Sequence, residues 1–160
     1  MTKKTLLFIV CICMALFAVA QKKSKGGAKV NWKKVNVLVY IKNGNGYVHE
    51  NRAAGVAAIQ QLGTQHGFSV TVSENPADFN ETNLKQYNLV VFNNTNNEVF
   101  DTDEQKVAFM RYVQAGGGFV GIHSATGTER NWPWFKRLIG ASFLRHAKHQ
   151  PFKEIIIDAD

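Results

Sequence analysis

Three observations predict an α/β fold with a mainly parallel sheet. Along residues 35–160, short apolar runs rich in Val, Ile and Phe alternate with segments of helical periodicity. These runs lack the polar alternation of a sheet with one wet face, as expected of strands covered by helices on both sides. The third is Gly116-Gly117-Gly118-Phe119-Val120-Gly121-Ile122-His123-Ser124-Ala125, a glycine-rich strand that stops abruptly at a polar pair. Open α/β sheets hold ligands outside the carboxyl ends of their strands, so chemistry is expected at His123 and Ser124.

The elements follow in order. Residues 35–41, Val-Asn-Val-Leu-Val-Tyr-Ile, form the first strand. A loop over 42–50 carries Gly44, Gly46 and His49, and residues 51–65 place Ala, Val, Ile and Leu at helical spacing before Gly67 ends the helix. Residues 68–72 read as a second strand, 82–86 as a short helix, and 89–92 as a third strand running into the polar cluster 93–97. Thr102-Asp103-Glu104-Gln105 is a capping box, followed by an apolar stripe of Val107, Phe109, Met110 and Val113 and a stop at Gly116. The glycine-rich strand comes next, then a polar loop, a helix over 134–139 and a last strand over 152–157. Nothing follows to cover that strand, so the pattern reads as a domain cut short on its C-terminal side.

The first twenty residues read as a signal peptide. Lys3 and Lys4 precede an apolar run over 5–17 that is short for a bilayer span, and Ala18-Val19-Ala20 is a small-residue cleavage pattern. Export to the periplasm or beyond is expected, with no stable membrane insertion after cleavage; an uncleaved N-terminal anchor is the alternative. Cys11 and Cys13 both lie in this segment, so the mature chain has neither disulfides nor a thiol nucleophile. The net charge of +7 suggests nucleic acid, but its distribution argues against that partner. Lysines crowd a flexible basic leader over 21–34, whereas residues 36–160 hold eleven Lys and Arg against twelve Asp and Glu. The leader reads as a solvated tether.

The turn at Gly121-Ile122-His123-Ser124-Ala125 has the shape of a nucleophile elbow with histidine at its tip. Imidazole there can serve as general base, electrophile or metal ligand, or simply bond the adjoining loop. Ser124 is the weaker candidate nucleophile. His49, after the first strand, faces the same edge, and His146 joins it if its loop folds back; three imidazoles with an open fourth position suit a catalytic zinc. Trp132 and Trp134 offer an aromatic platform for a sugar ring, or pack the following helix onto the sheet. Asn94, within the 93–97 cluster, can bond sugar hydroxyls or make a turn.

Together Tyr47-Val48-His49-Glu50, Asn75-Pro76-Ala77-Asp78-Phe79, the segment 84–87 leading to Val90-Val91-Phe92, the run 116–125, Trp134, Gly140, Phe143 and His146 resemble the ThuA-like (trehalose utilisation) domain family. The likeness runs from Val35 onward. That family is similar to class I glutamine amidotransferase-like proteins but without the elbow cysteine. The resemblance implies a flavodoxin-like three-layer sandwich and a small carbohydrate ligand, a disaccharide or an oxidised sugar. Two readings follow: an enzyme using histidine or a metal, and a non-catalytic sugar-binding module.

Overall fold

A computed structural model describes residues 30–148 and 150–155. In chain order it contains β1 (Asn36–Tyr40), α1 (Arg52–His66), β2 (Ser69–Ser73), α2 (Glu81–Leu84), β3 (Leu89–Asn93), α3 (Asp103–Gln114), β4 (Gly118–Ile122) and α4 (Pro133–Ile139). The strands form one sheet in the order β2-β1-β3-β4, and every neighbouring pair is parallel. The fold is thus the α/β class that the sequence predicts.

Period-two alternation sends successive β1 residues to opposite faces. Leu38 and Tyr40 join Val90, Phe92, Phe109 and Phe135 in a core under α2, α3 and α4. Val37 and Val39 join Val91 on the other face, where Val56 and Ile59 of α1 cover them. Helices on both faces explain why residues 37–40 of β1 and 89–92 of β3 are apolar without interruption. The aromatic face interlocks: Phe109 lies 5.2 Å from Phe92 and 5.4 Å from Phe119 between ring centroids.

The capping box at α3 forms as expected. The Thr102 hydroxyl accepts from the Gln105 N–H at 3.4 Å, and the Gln105 side chain accepts from the Thr102 N–H at 3.3 Å. Past the helix Gly116 takes φ +96°, a left-handed conformation that lets the chain turn straight into β4.

Topology places the site. From β1 the chain moves to β2 on one side and then crosses to β3 on the other, so connections leave β1 and β3 in opposite directions. A crevice at their carboxyl ends is the usual ligand position in such sheets.

Two expectations need correcting. Trp32–Lys34 form a 3₁₀ turn, and the Trp32 ring lies 5.7 Å from His66 and 5.9 Å from Phe68. The fold therefore reaches back into the segment expected to be a flexible leader, because an aromatic side chain packs on the end of α1. Residues 152–155 form no strand, and Phe152 and Ile155 are exposed, since no described strand pairs with them. The remainder of that expected strand, the signal peptide and residues 21–29 lie outside the described residues. No helix among the described residues is long and apolar enough to cross a membrane.

Candidate functional site at the carboxyl edge

Three loops build the site. The loop after β1 is tied to the loop after β3: the Gly44 N–H donates to Asn96 O at 2.8 Å, and Asn97 Nδ2 donates to Asn45 O at 2.6 Å. That tie brings Tyr47 and His49 over the end of β4. There His123 takes φ +54°, sparsely populated for a side chain of its size, and opens the 3₁₀ turn His123–Gly127. A pocket of about 860 Å³ forms between the loops, walled by Tyr47, His49, Asn97, His123, Arg130 and Phe143.

His49 and His123 meet edge to face, with ring centroids 4.5 Å apart. Desolvation, and then the neighbouring His123, hold the His49 imidazole below its ordinary pKa. His123 Nδ1 lies 2.9 Å from Asn94 Oδ1. Arg130 is fixed from two sides, its Nε donating to Gly127 O at 3.0 Å and its guanidinium lying 6.0 Å over the Phe143 ring. The pocket thus offers an imidazole pair, a held cation and aromatic faces.

Beneath it lies a polar layer shielded from water. Asn93 is 0% exposed, Asn94 2% and Thr95 0%, with the Thr95 and Thr128 hydroxyls paired at 2.7 Å. Asn94 and Asn97 take φ +55° and +56°, the left-handed region that asparagine tolerates best after glycine. Glu129, 0% exposed at φ +47°, accepts the Val99 and Phe100 N–H groups on Oε1 at 2.9 and 3.0 Å. Its Oε2 lies 3.1 Å from Lys106 Nζ, a charge contact without hydrogen-bond alignment. Next to it, burial and then the Glu129 carboxylate push the Glu98 carboxyl up to about 7.

His49 and His123 are thus brought together, and His146 lines the same pocket. The three do not form a zinc set. Among the described residues no group of three or more His, Cys, Asp or Glu is placed to hold a metal ion. His146 sits on an irregular segment with its Nδ1 2.8 Å from Ala147 O. Ser124 also lines the pocket, but its buried Oγ has no hydrogen-bond partner among the described residues, so no base there activates it. Asn94 spends its amide on His123 and Asn93. Trp132 and Trp134 lie outside this pocket, packing on each other at 5.0 Å and against Phe100 and Phe109, because α4 docks on the aromatic face. Sequence reasoning placed Asn93 in the polar 93–97 cluster but missed Glu129 and Arg130; the adjacent Glu129-Arg130 charges just after the elbow were the available signal.

The ThuA family profile, described as trehalose utilisation, matches residues 36–160. Among solved structures, a ThuA-like protein from Bacteroides uniformis ATCC 8492 aligns with a TM-score of 0.56 at 26% identity, covering 74% of this chain and 47% of that one. The chain therefore spans about half the length of that relative. No curated protein matches it.

Proposed function

Because the chain belongs to the ThuA family, whose family-level role is trehalose utilisation, we propose that it is an exported protein that handles a disaccharide or oxidised sugar in the His49–His123 pocket. One observation carries this reading: two imidazoles in contact at 4.5 Å at the topological switch point, inside a pocket large enough for a disaccharide. Arg130 and Asn97 supply polar anchors for hydroxyls or a carbonyl, and Tyr47 and Phe143 supply aromatic faces for a sugar ring. His123 serves as general base and His49 shields it. No thiol is available outside residues 1–20, so cysteine-dependent amide transfer is not proposed.

The second reading is a sugar-binding module without turnover, favoured by the unactivated Ser124 hydroxyl. Calorimetric titration with trehalose and with its oxidised derivatives, followed by product analysis, separates the two. Binding with turnover lost in His123→Ala supports the enzyme, and binding without turnover supports the module. Neither heat nor product from any disaccharide overturns both. Export is checked by sequencing the mature N-terminus from the periplasmic fraction, expected at Gln21.

A further inference from the structure

We propose that Asn93 and Asn94 are positioning residues that hold neutral His123 as its Nδ1–H tautomer, leaving the Nε2 lone pair as the proton acceptor of the pocket. This rests on the reading of the His49–His123 pocket as the working site. The argument starts at a backbone atom whose role is fixed. Arg52 O, in the first turn of α1, can only accept, and the Asn93 side chain lies 2.8 Å from it. The group facing Arg52 O is therefore the Asn93 NH₂, which turns Asn93 Oδ1 toward Asn94. Across that 2.9 Å contact Asn94 must present its own NH₂. Asn94 Oδ1 then faces His123 Nδ1 at 2.9 Å and can only accept, so Nδ1 carries the hydrogen.

Each link is built in. A Cβ at Gly55 would fall inside van der Waals contact of Asn93 Oδ1, so α1 carries glycine where the Asn93 amide passes. The Arg52 guanidinium donates to Ile41 O at 2.8 Å, pinning the first turn of α1, and with it the terminal acceptor, to the end of β1. The Asn94 N–H donates to Ile122 O at 3.3 Å, locking the relay to the strand that delivers His123. Asn93 and Asn94 are buried, so water does not compete for either amide. No member of the relay carries charge, so it sets the direction of the imidazole hydrogen without itself titrating. Free histidine in water favours the opposite, Nε2–H form, and the relay would reverse that preference.

The test is long-range proton–nitrogen NMR on the ¹⁵N-histidine-labelled full chain without sugar, at a pH of about 8 where histidine is neutral. His123 is assigned from the signal lost in His123→Gln. The expected result is a protonated Nδ1 and a bare Nε2 in the wild type. Asn94→Leu is expected to move His123 to the Nε2–H form or a mixture, whereas Asn94→Asp, whose carboxylate only accepts, is expected to keep Nδ1–H. Asn93→Leu frees the Asn94 amide to flip and is expected to give a mixture. If it does not fold, Gly55→Ala displaces the Asn93 amide from the helix side and reads the same link. An Nε2–H wild type, or an unchanged tautomer in Asn94→Leu, overturns the proposal. Since no sugar is present, this outcome is independent of the calorimetry: loss of the sugar reading leaves the tautomer result standing, and the converse holds.

Discussion

Two polar networks support the same pocket from below, and they use opposite chemistry. Behind His123 the links are amides only, running from Arg52 O through Asn93 and Asn94 to the ring. Behind Arg130 the links are charged, with Glu129 and Lys106 beneath the loop after β3 and Glu98 on that loop's exposed side. Both turn through residues at positive φ, Asn94 and His123 in one, Asn97 and Glu129 in the other. The neutral network fixes which atom carries a hydrogen. The charged one fixes backbone, because Glu129 holds two consecutive loop N–H groups. Orientation of a base and anchoring of a loop are separate tasks, and the fold assigns them to separate groups.

The largest test of that division is Glu129→Ala. It leaves two buried N–H groups without their acceptor and Lys106 without its counter-charge, and is expected to cost about 3 kcal/mol in urea unfolding, the low end for a broken buried pair because Lys106 is partly exposed. Glu129→Gln keeps an acceptor for the N–H groups and is expected to cost about 1 kcal/mol. Equal losses in the two would show that charge, not backbone anchoring, is the role of Glu129. Asn94→Leu is expected to cost about 1–2 kcal/mol through the stranded Asn93 carbonyl, less than Glu129→Ala. A larger loss than that of Glu129→Ala would invert the assignment.

Gly55→Ala cuts closer. A helix interior gains about 1 kcal/mol from alanine, while the new methyl crowds Asn93 Oδ1. Thermal unfolding is expected to stay within about 1 kcal/mol of wild type while the His123 tautomer shifts. Full retention of the tautomer with unchanged stability would mean that Asn93 yields without consequence for the ring.

The strands, the capped helix and the elbow were legible in the sequence because each rests on local signals: uninterrupted apolar runs, Thr102 three residues before Gln105, glycines ahead of β4. The meeting of His49 with His123 was legible as well, since parallel topology puts both loops on one edge. What the sequence hid was which polar residues lie under the pocket rather than in it. Asn94 reads as a hydroxyl binder or a turn residue, and the structure buries it at a positive φ, because long-range contacts with Ile122 and His123 decide its exposure. Trp132 and Trp134 read as platform or packing, and the docking of α4 on the aromatic face selects packing. Arg130 was passed over because the Glu129-Arg130 pair lies in a loop, where no periodic pattern marks it.

The smallest expected effect separates the two networks by pH. Glu98 is raised from an ordinary 4.5 to about 7, so the folded chain binds its proton more tightly than the unfolded chain does. Its contribution is present at low pH and is lost as pH rises from about 4.5 to about 7. His49 is lowered from 6.5, so the unfolded chain takes that proton first, and stability present above 6.5 is lost as pH falls below it. Glu81 and Glu104, both lowered from 4.5, act only at more acid pH. Between about 4.5 and 6.5 the two slopes oppose, and each substitution is expected to expose the slope of the other group. Glu98→Gln removes the falling slope, leaving a midpoint that rises with pH. His49→Asn removes the rising slope, leaving a midpoint that falls. A wild-type profile unchanged by either substitution would detach both groups from folding and leave the charged network, like the amide network, without a pH signature in this range.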